Sequence, residues 1–204
     1  MKVLIAVPTF ENITPDTFKS IYDLDKGQHE FIFEYIRGYD CAAARNLIVD
    51  RAKDLKVDYV FMVDGDIKLP HDAILNLLED SKDVCLGYYA HRHGEDNFDG
   101  RTCICKLGEF NFTNQFTVDE LKDLKEKGQN IVQIHGGGMG CALINMRVFD
   151  KIQYPWYKWV NYEDRHGVLS EDLYFCVQCN NNKIPIYVDT RVGCGHLFRY
   201  IQGV

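Results

Sequence analysis

Hydrophobic residues fall along this chain in short continuous runs that alternate with longer stretches of helical spacing. Lys2 to Val7 is an apolar, β-rich run closed by Pro8-Thr9, which predicts a buried first strand. Thr14-Pro15-Asp16 is a helix start, with Thr14 as N-cap and Pro15 in the first turn, and the helix is expected to reach about Asp23. Glu30 to Tyr39 alternates Phe31, Phe33 and Tyr35 with other residues and reads as a second strand. Cys41 to Leu55 places Ala44, Leu47, Ile48, Ala52 and Leu55 at helical spacing, with charges opposite. Tyr59 to Val63 is apolar throughout, as a central parallel strand should be. A helix follows from Pro70 to Glu79, then a strand from Val84 to Tyr89. The order β-α-β-α-β-α-β predicts a doubly wound α/β fold with a mostly parallel central sheet flanked by helices. Ligand sites in such folds lie beyond the carboxyl ends of the strands. Three polar clusters stand there: Pro8-Thr9, Asp40 and Asp64-Gly65-Asp66.

The pattern then changes. His91 to Phe116 is polar and aromatic, with no long helix. Thr117-Val118-Asp119-Glu120 is a capping box that opens a short charged helix ending at Gly128. Ile131 to Ile134 reads as a strand, followed by Gly136-Gly137-Gly138-Met139-Gly140, a strand from Cys141 to Ile144 and a short helix from Val148 to Ile152. Ser170 is expected to N-cap a helix to about Asn181. Ile186 to Asp189 reads as a last strand and Val192 to His196 as a strand end. With no repeat or linker, residues 1–204 read as one domain with two halves, 1–90 and 91–204, that have different jobs.

Composition narrows the classes. The chain has 204 residues, 46% of them hydrophobic and 26% charged, so disorder is excluded and no covalent staples are needed to fold. A formal net charge of −7 argues against a broad nucleic-acid-binding face. No run approaches the ~20 apolar residues of a membrane span. The apolar start is too short for a signal peptide, which points to a cytoplasmic protein. The eight cysteines then read as reduced, small hydrophobic residues. Cys176-Val177-Gln178-Cys179 is the only C-x-x-C and has no second pair to complete a zinc site.

The candidate chemistry centres on Asp64-Gly65-Asp66. Two carboxylates flank a glycine at a strand end, which suits a hard divalent cation such as Mn²⁺ or Mg²⁺, although a solvated acidic turn has the same sequence. An aspartyl-nucleophile phosphatase would want Thr or Val where Lys68 stands. His196, flanked by glycines after a strand, offers an imidazole to the same ion; a core histidine is the alternative. Glu171 and Asp172 stand at a helix start, where the helix dipole stabilises acids and where one of them can serve as general base. The glycine run means a backbone that comes very close to something. Trp156 and Trp159 are either core or a platform for sugar faces. Arg45 is either an exposed helix charge or a phosphate partner.

Taken in order, these pieces resemble the nucleotide-sugar glycosyltransferases of the GT-A fold, close to the large family 2 group and to its compact bacterial and phage-encoded members. The resemblance rests on Val7-Pro8-Thr9, Ala44-Arg45-Asn46, Val63-Asp64-Gly65-Asp66-Ile67, the glycine run into Cys141-Ala142-Leu143-Ile144, Pro155-Trp156, Ser170-Glu171-Asp172 with Leu173-Tyr174-Phe175, and Val188-Asp189-Thr190 leading to Cys194-Gly195-His196. It implies a metal-dependent hexosyltransferase-type enzyme that moves a sugar from a UDP-sugar donor to a hydroxyl on a glycan or other acceptor. By resemblance, Asp64, Asp66 and His196 hold Mn²⁺ or Mg²⁺, and Asp172 is the base of an inverting reaction, with Glu171 beside it. Pro8, Thr9, Glu11, Asp40, Arg45 and Gly65 belong to the nucleotide side. Gly137 and Gly138 would lie along the donor sugar, and Trp156 and Trp159 face the acceptor. Residues 91 to 134 match no motif of the family. That makes the stretch from His91 to Gln133, with Phe110 and Phe112, the expected acceptor-facing region. A sugar-nucleotide nucleotidyltransferase is the rival enzyme, but Pro8-Thr9-Phe10-Glu11-Asn12 lacks the Gly-rich basic loop it would want. A non-catalytic nucleotide-sugar binder is the rival outside enzymes.

Overall fold

A computed structural model describes residues 1–91, 100–108, 114–163 and 166–197. Along the first half run β1 (Lys2–Thr9), α1 (Pro15–Tyr22), β2 (Glu30–Arg37), α2 (Cys41–Leu55), β3 (Tyr59–Val63), β4 (Ile67–Lys68), α3 (Ala73–Glu79) and β5 (Val84–Tyr88). The second half adds β6 (Arg101–Cys105), β7 (Gln115–Thr117), α4 (Val118–Glu126), β8 (Ile131–Ile134), β9 (Gly136–Gly137) and β10 (Cys141–Asn145). It closes with β11 (Val160–Asn161), β12 (Val168–Leu169), α5 (Glu171–Asn181), β13 (Ile186–Gly193) and β14 (Gly195–His196). Phe110 and Phe112 lie outside the described residues.

Seven strands form one sheet in the order β2-β1-β3-β10-β5-β13-β8. β1 is parallel to β2 and β3, and β5 to β13, whereas β10 is antiparallel to both β3 and β5, and β8 to β13. Five strands (β1, β2, β3, β5, β13) therefore run one way, and the mostly parallel α/β sheet expected from the sequence is present. The central strands read as continuous apolar runs because they are covered: β5 is buried along its whole length, and β3 and β10 but for one end residue each. α2 packs on β1, β2 and β3, while α3 packs on β13, β5 and β10. No helix among the described residues is long and apolar enough to cross a membrane.

Local chemistry explains most boundaries. Asp40 Oδ1 accepts from the Ala42 and Ala43 amides at 2.9 and 3.1 Å and caps α2, which Lys56 ends in the left-handed conformation. Thr117 and Glu120 form the expected capping box, each side chain accepting from the other's backbone N–H. Three expectations need correction. The helix placed from Pro70 begins at Ala73, because the Ala73 amide bonds Pro70 O in a preceding turn. The short helix placed over Val148 to Ile152 is one 3₁₀ turn at Met146–Val148, where Asn145 Oδ1 accepts from the Arg147 amide. Ser170 occupies the N-cap position of α5 without capping it; its hydroxyl donates to Asp172 instead.

Six cysteines (85, 103, 105, 141, 176 and 179) are buried, Cys194 is half-buried and Cys41 is exposed. Burial pushes the thiols of Cys103 and Cys105 up to about 12, so both remain neutral, small apolar groups.

Candidate active site

Asp64, Gly65 and Asp66 form the turn between β3 and β4, and three other parts of the chain are bonded to it. The Asp64 amide donates to Gly140 O at 3.1 Å, the Thr14 amide to Gly65 O at 2.8 Å, and the Leu197 amide to Asp66 O at 2.9 Å. The glycine run, the start of α1 and the C-terminal strand thus meet at one point. β14 pairs antiparallel with β4, placing His196 opposite Ile67 and hence beside Asp66.

His196 is held by its other nitrogen. Nδ1 stands 2.8 Å from Ala90 O, and a carbonyl only accepts, so Nδ1 carries the proton and Nε2 of a neutral ring carries the lone pair. Nε2 stands 3.9 Å from Asp66 Oδ1, and the ring packs edge-on against Tyr89 with centroids 5.2 Å apart. Donation of one imidazole N–H to a backbone carbonyl, which puts the lone pair on the other nitrogen, is a common way in which metal-ligating histidines are oriented.

The glycine run is buried because two side chains lie across it. The Tyr89 hydroxyl accepts from the Gly140 amide at 3.1 Å. A Cβ on Gly138 would stand 2.4 Å from that hydroxyl, and one on Gly140 would meet Asp64 Oδ2 at 2.9 Å. Gly137 serves packing, since its Cβ would strike Ile104 and Leu86. β9 carries the run into a second sheet, β7-β6-β9, which walls the site with Cys103, Cys105 and Gln115.

Together these elements enclose a cleft of about 370 Å³. Asp64, Asp66 and His196 line it, as do Gly138, Ser170, Asp172 and Leu173. The two acids of α5 point differently. Asp172 faces the cleft, with Oδ1 accepting from the Leu173 amide at 2.7 Å and from the Ser170 hydroxyl. Glu171 is 5% exposed and turns inward, its Oε1 3.4 Å from Arg45 Nε. Burial raises the Glu171 carboxyl and the Arg45 cation partly offsets that rise. Arg45 is no exposed helix charge: its side chain is 2% exposed, and Nη2 donates to Asp64 Oδ1 at 2.8 Å. Burial alone would lower its affinity for a proton, but Asp64 and Glu171 more than reverse that, so the guanidinium stays charged.

Other sequence candidates lie outside the cleft. Pro8 is buried, Glu11 is exposed, and Thr9 Oγ1 donates to Asn12 O in a loop that packs against Gly65. Asp40 is the α2 cap. Trp156 is core, not a platform: it is 6% exposed and its indole N–H donates to Phe149 O at 3.1 Å. Trp159 is 49% exposed and lines a separate groove with Tyr39 and Tyr154. Sequence reasoning missed Tyr89, whose one signal is an aromatic residue at a strand end in a chain with a glycine run. It also missed the hydrogen-bonded pair His91 and Gln115, 2.7 Å apart on the cleft wall, which no motif marks.

No protein-family model matches the chain, and no curated protein matches it. Solved structures do. One described as "Crystal Structure of A197 from STIV" aligns with a TM-score of 0.64 at 17% identity, covering 98% of this chain and 87% of that one. Another, "Crystal structure of GalNAc-T7 with UDP, GalNAc and Mn2+", aligns with a TM-score of 0.61 at 11% identity, covering 97% of this chain. The fold is GT-A-like. The chain spans 44% of the length of that second structure, and at these identities the likeness is one of fold alone.

A divalent ion suits the donor set of this cleft only in part. Among the described residues, no three His, Cys, Asp or Glu side chains already stand as a metal cage. Asp66 and His196 form a two-residue platform with carboxylate and imidazole donors. Hard cations of this kind are commonly held by one or two carboxylates plus substrate phosphates and water, so a two-residue platform fits such an ion once a diphosphate is bound.

Proposed function

We propose that this chain is a glycosyltransferase that moves a sugar from a nucleotide donor, a UDP-sugar, to an acceptor hydroxyl. One observation carries the reading. The turn with Asp64 and Asp66, the oriented His196 and the cleft-facing Asp172 line a single cavity. A diphosphate leaving group needs charge neutralised, and an acceptor hydroxyl needs a base; side chains of both kinds on one cavity support the reading.

In this reading Asp66 and His196 would hold Mn²⁺ or Mg²⁺, with Asp64 of the same turn as a third candidate donor. Held there, such an ion would supply neutralisation of the charge that builds on the departing diphosphate. The backbone of Gly138, with no Cβ, lets the donor sugar lie against the run. Asp172 takes the proton of the acceptor hydroxyl as its oxygen attacks the anomeric carbon from the face opposite the diphosphate. One bond to oxygen forms, one breaks, and the configuration inverts. Residues 1–90 supply the donor-facing carboxylates, and residues 91–204 supply the base, the glycine run and the acceptor wall.

The test is UDP release from a panel of UDP-sugars in the presence of Mn²⁺. Asp172→Asn should keep donor affinity and lower kcat by ~10²–10⁴, because a general base acts mainly in the transition state. Asp66→Asn should abolish Mn²⁺-dependent UDP binding in calorimetry. A donor that binds without ever releasing UDP would make the chain a nucleotide-sugar binder. Near wild-type kcat in Asp172→Asn would remove the base assignment.

A further inference from the structure

Arg45 has the largest fully buried side chain among the described residues, and the reaction above gives it no step. Its guanidinium joins three elements. Nη2 bonds Asp64 Oδ1 at 2.8 Å in the turn after β3, and Nε reaches Glu171 Oε1 at 3.4 Å at the start of α5. Its carbon lies 6.0 Å from the centroid of the Tyr157 ring, which stacks on Phe175 of α5 with centroids 5.1 Å apart and planes 10° apart. Nη1 lies 3.7 Å from Met62 Sδ. Taking a guanidinium and a carboxylate out of water is costly, and apolar residues of similar volume often serve stability equally well. Stability alone therefore does not account for this cation.

Its geometry has two consequences for the cleft. Asp64 Oδ1 is engaged from below, while Oδ2 is the atom that approaches the glycine run at Gly140. Glu171 is drawn inward, and the next helical residue points about 100° away. That residue is Asp172, which lines the cleft.

We propose that Arg45 is a positioning residue that aligns both walls of the cleft: it aims Asp64 toward the donor and, by engaging Glu171, turns Asp172 toward the acceptor. Its catalytic meaning rests on the glycosyltransferase reading. The buried pairing itself can be tested without any ligand.

The experiment compares wild type, Arg45→Met and the double variant Arg45→Met with Glu171→Gln. Arg45→Met leaves Glu171 buried without its cation and should lower the unfolding temperature. The double variant removes both charges and should recover most of that loss. Despite that recovery, its Mn²⁺-dependent UDP affinity should stay weaker than wild type by about tenfold or more, the usual effect of losing a partner that orients a metal ligand. A structural role alone would restore stability and affinity together, and that result overturns the proposal. So does a double variant no more stable than Arg45→Met, or one that fails to fold. If the wild type itself binds no UDP with Mn²⁺, the glycosyltransferase reading falls; recovery of stability in the double variant then still upholds the buried pairing, and its absence overturns it.

Discussion

Tyr89 shows why this site depends on single atoms. Its buried hydroxyl accepts from the Gly140 amide and occupies the space where side chains at residues 138 and 140 would begin. Gly138→Ala would place a methyl 2.4 Å from that oxygen. Overpacking of this kind costs ~1–3 kcal/mol. The urea midpoint of Gly138→Ala should fall accordingly, and Mn²⁺-dependent UDP binding should weaken. Adding Tyr89→Phe removes the clashing oxygen and should recover part of the lost stability. A Gly138→Ala protein as stable as wild type would mean that the run does not lie against Tyr89. Arg45 teaches a related lesson at this scale. A charged residue at the start of a helix reads as solvent-facing, and only the two carboxylates brought to it from 19 and 126 residues away make its burial possible.

At the scale of elements, the segment from Gln153 to Trp159 is bound to the helices by amide side chains. Asn46 of α2 donates from Nδ2 to Ala42 O and Tyr157 O, and its Oδ1 accepts from the Trp156 and Tyr157 amides. Gln178 of α5 donates to Gln153 O and Pro155 O. Asn46 therefore uses both donors and both acceptor positions, three of the four bonds going to that one short stretch. Asn46→Ala would strip backbone groups of partners and should cost about 2–3 kcal/mol in equilibrium urea unfolding. A loss within about 0.5 kcal/mol, the range of an ordinary surface change, would show that the clamp carries no stability. Fixation of this segment seats Trp156 in the core, which is why that tryptophan is not available to a sugar. β4 and β14 illustrate the same scale. Each has two residues, too few to be read from periodicity, yet their pairing brings His196 beside Asp66.

Across the whole molecule, a second buried charge cluster lies away from the cleft, where α3 ends against β13. Arg191 donates to Asp189 and, at 2.7 Å, to Asp80, and Asp189 is fully buried. Burial, and then the Asp189 charge, push the Asp80 carboxyl up from 3.8 to about 6, against the opposing pull of Arg191. The folded state thus binds the Asp80 proton more tightly than the unfolded chain does. The stability this contributes is complete below the unfolded value and is lost as pH rises through about 6. Wild-type stability should therefore fall more steeply between about pH 4 and pH 7 than that of Asp80→Asn, which has no such proton to lose. Parallel slopes for the two proteins in urea unfolding across that range would exclude a raised Asp80.

The amino-acid sequence by itself determined the longer elements and their kind. Apolar runs specified β1, β3, β5 and β10 because strands covered on both faces need no polar alternation, and Thr14 and the Thr117–Glu120 box marked helix starts through local hydrogen bonds. It also marked Asp64, Asp66, Asp172 and His196 as candidate chemistry, since each stands just past a strand or at a helix start. Tertiary structure decided the rest. Strand direction is invisible in a short apolar run, so only the assembled sheet shows β10 running antiparallel between β3 and β5. Nor does a helix start reveal which of two adjacent acids faces a cavity. Glu171 turns inward because Arg45, 126 residues earlier in the chain, supplies a buried countercharge, and Asp172 is left to face the cleft. Orientation of this kind depends on partners distant in the chain, and burial is what makes those partners energetically compelling.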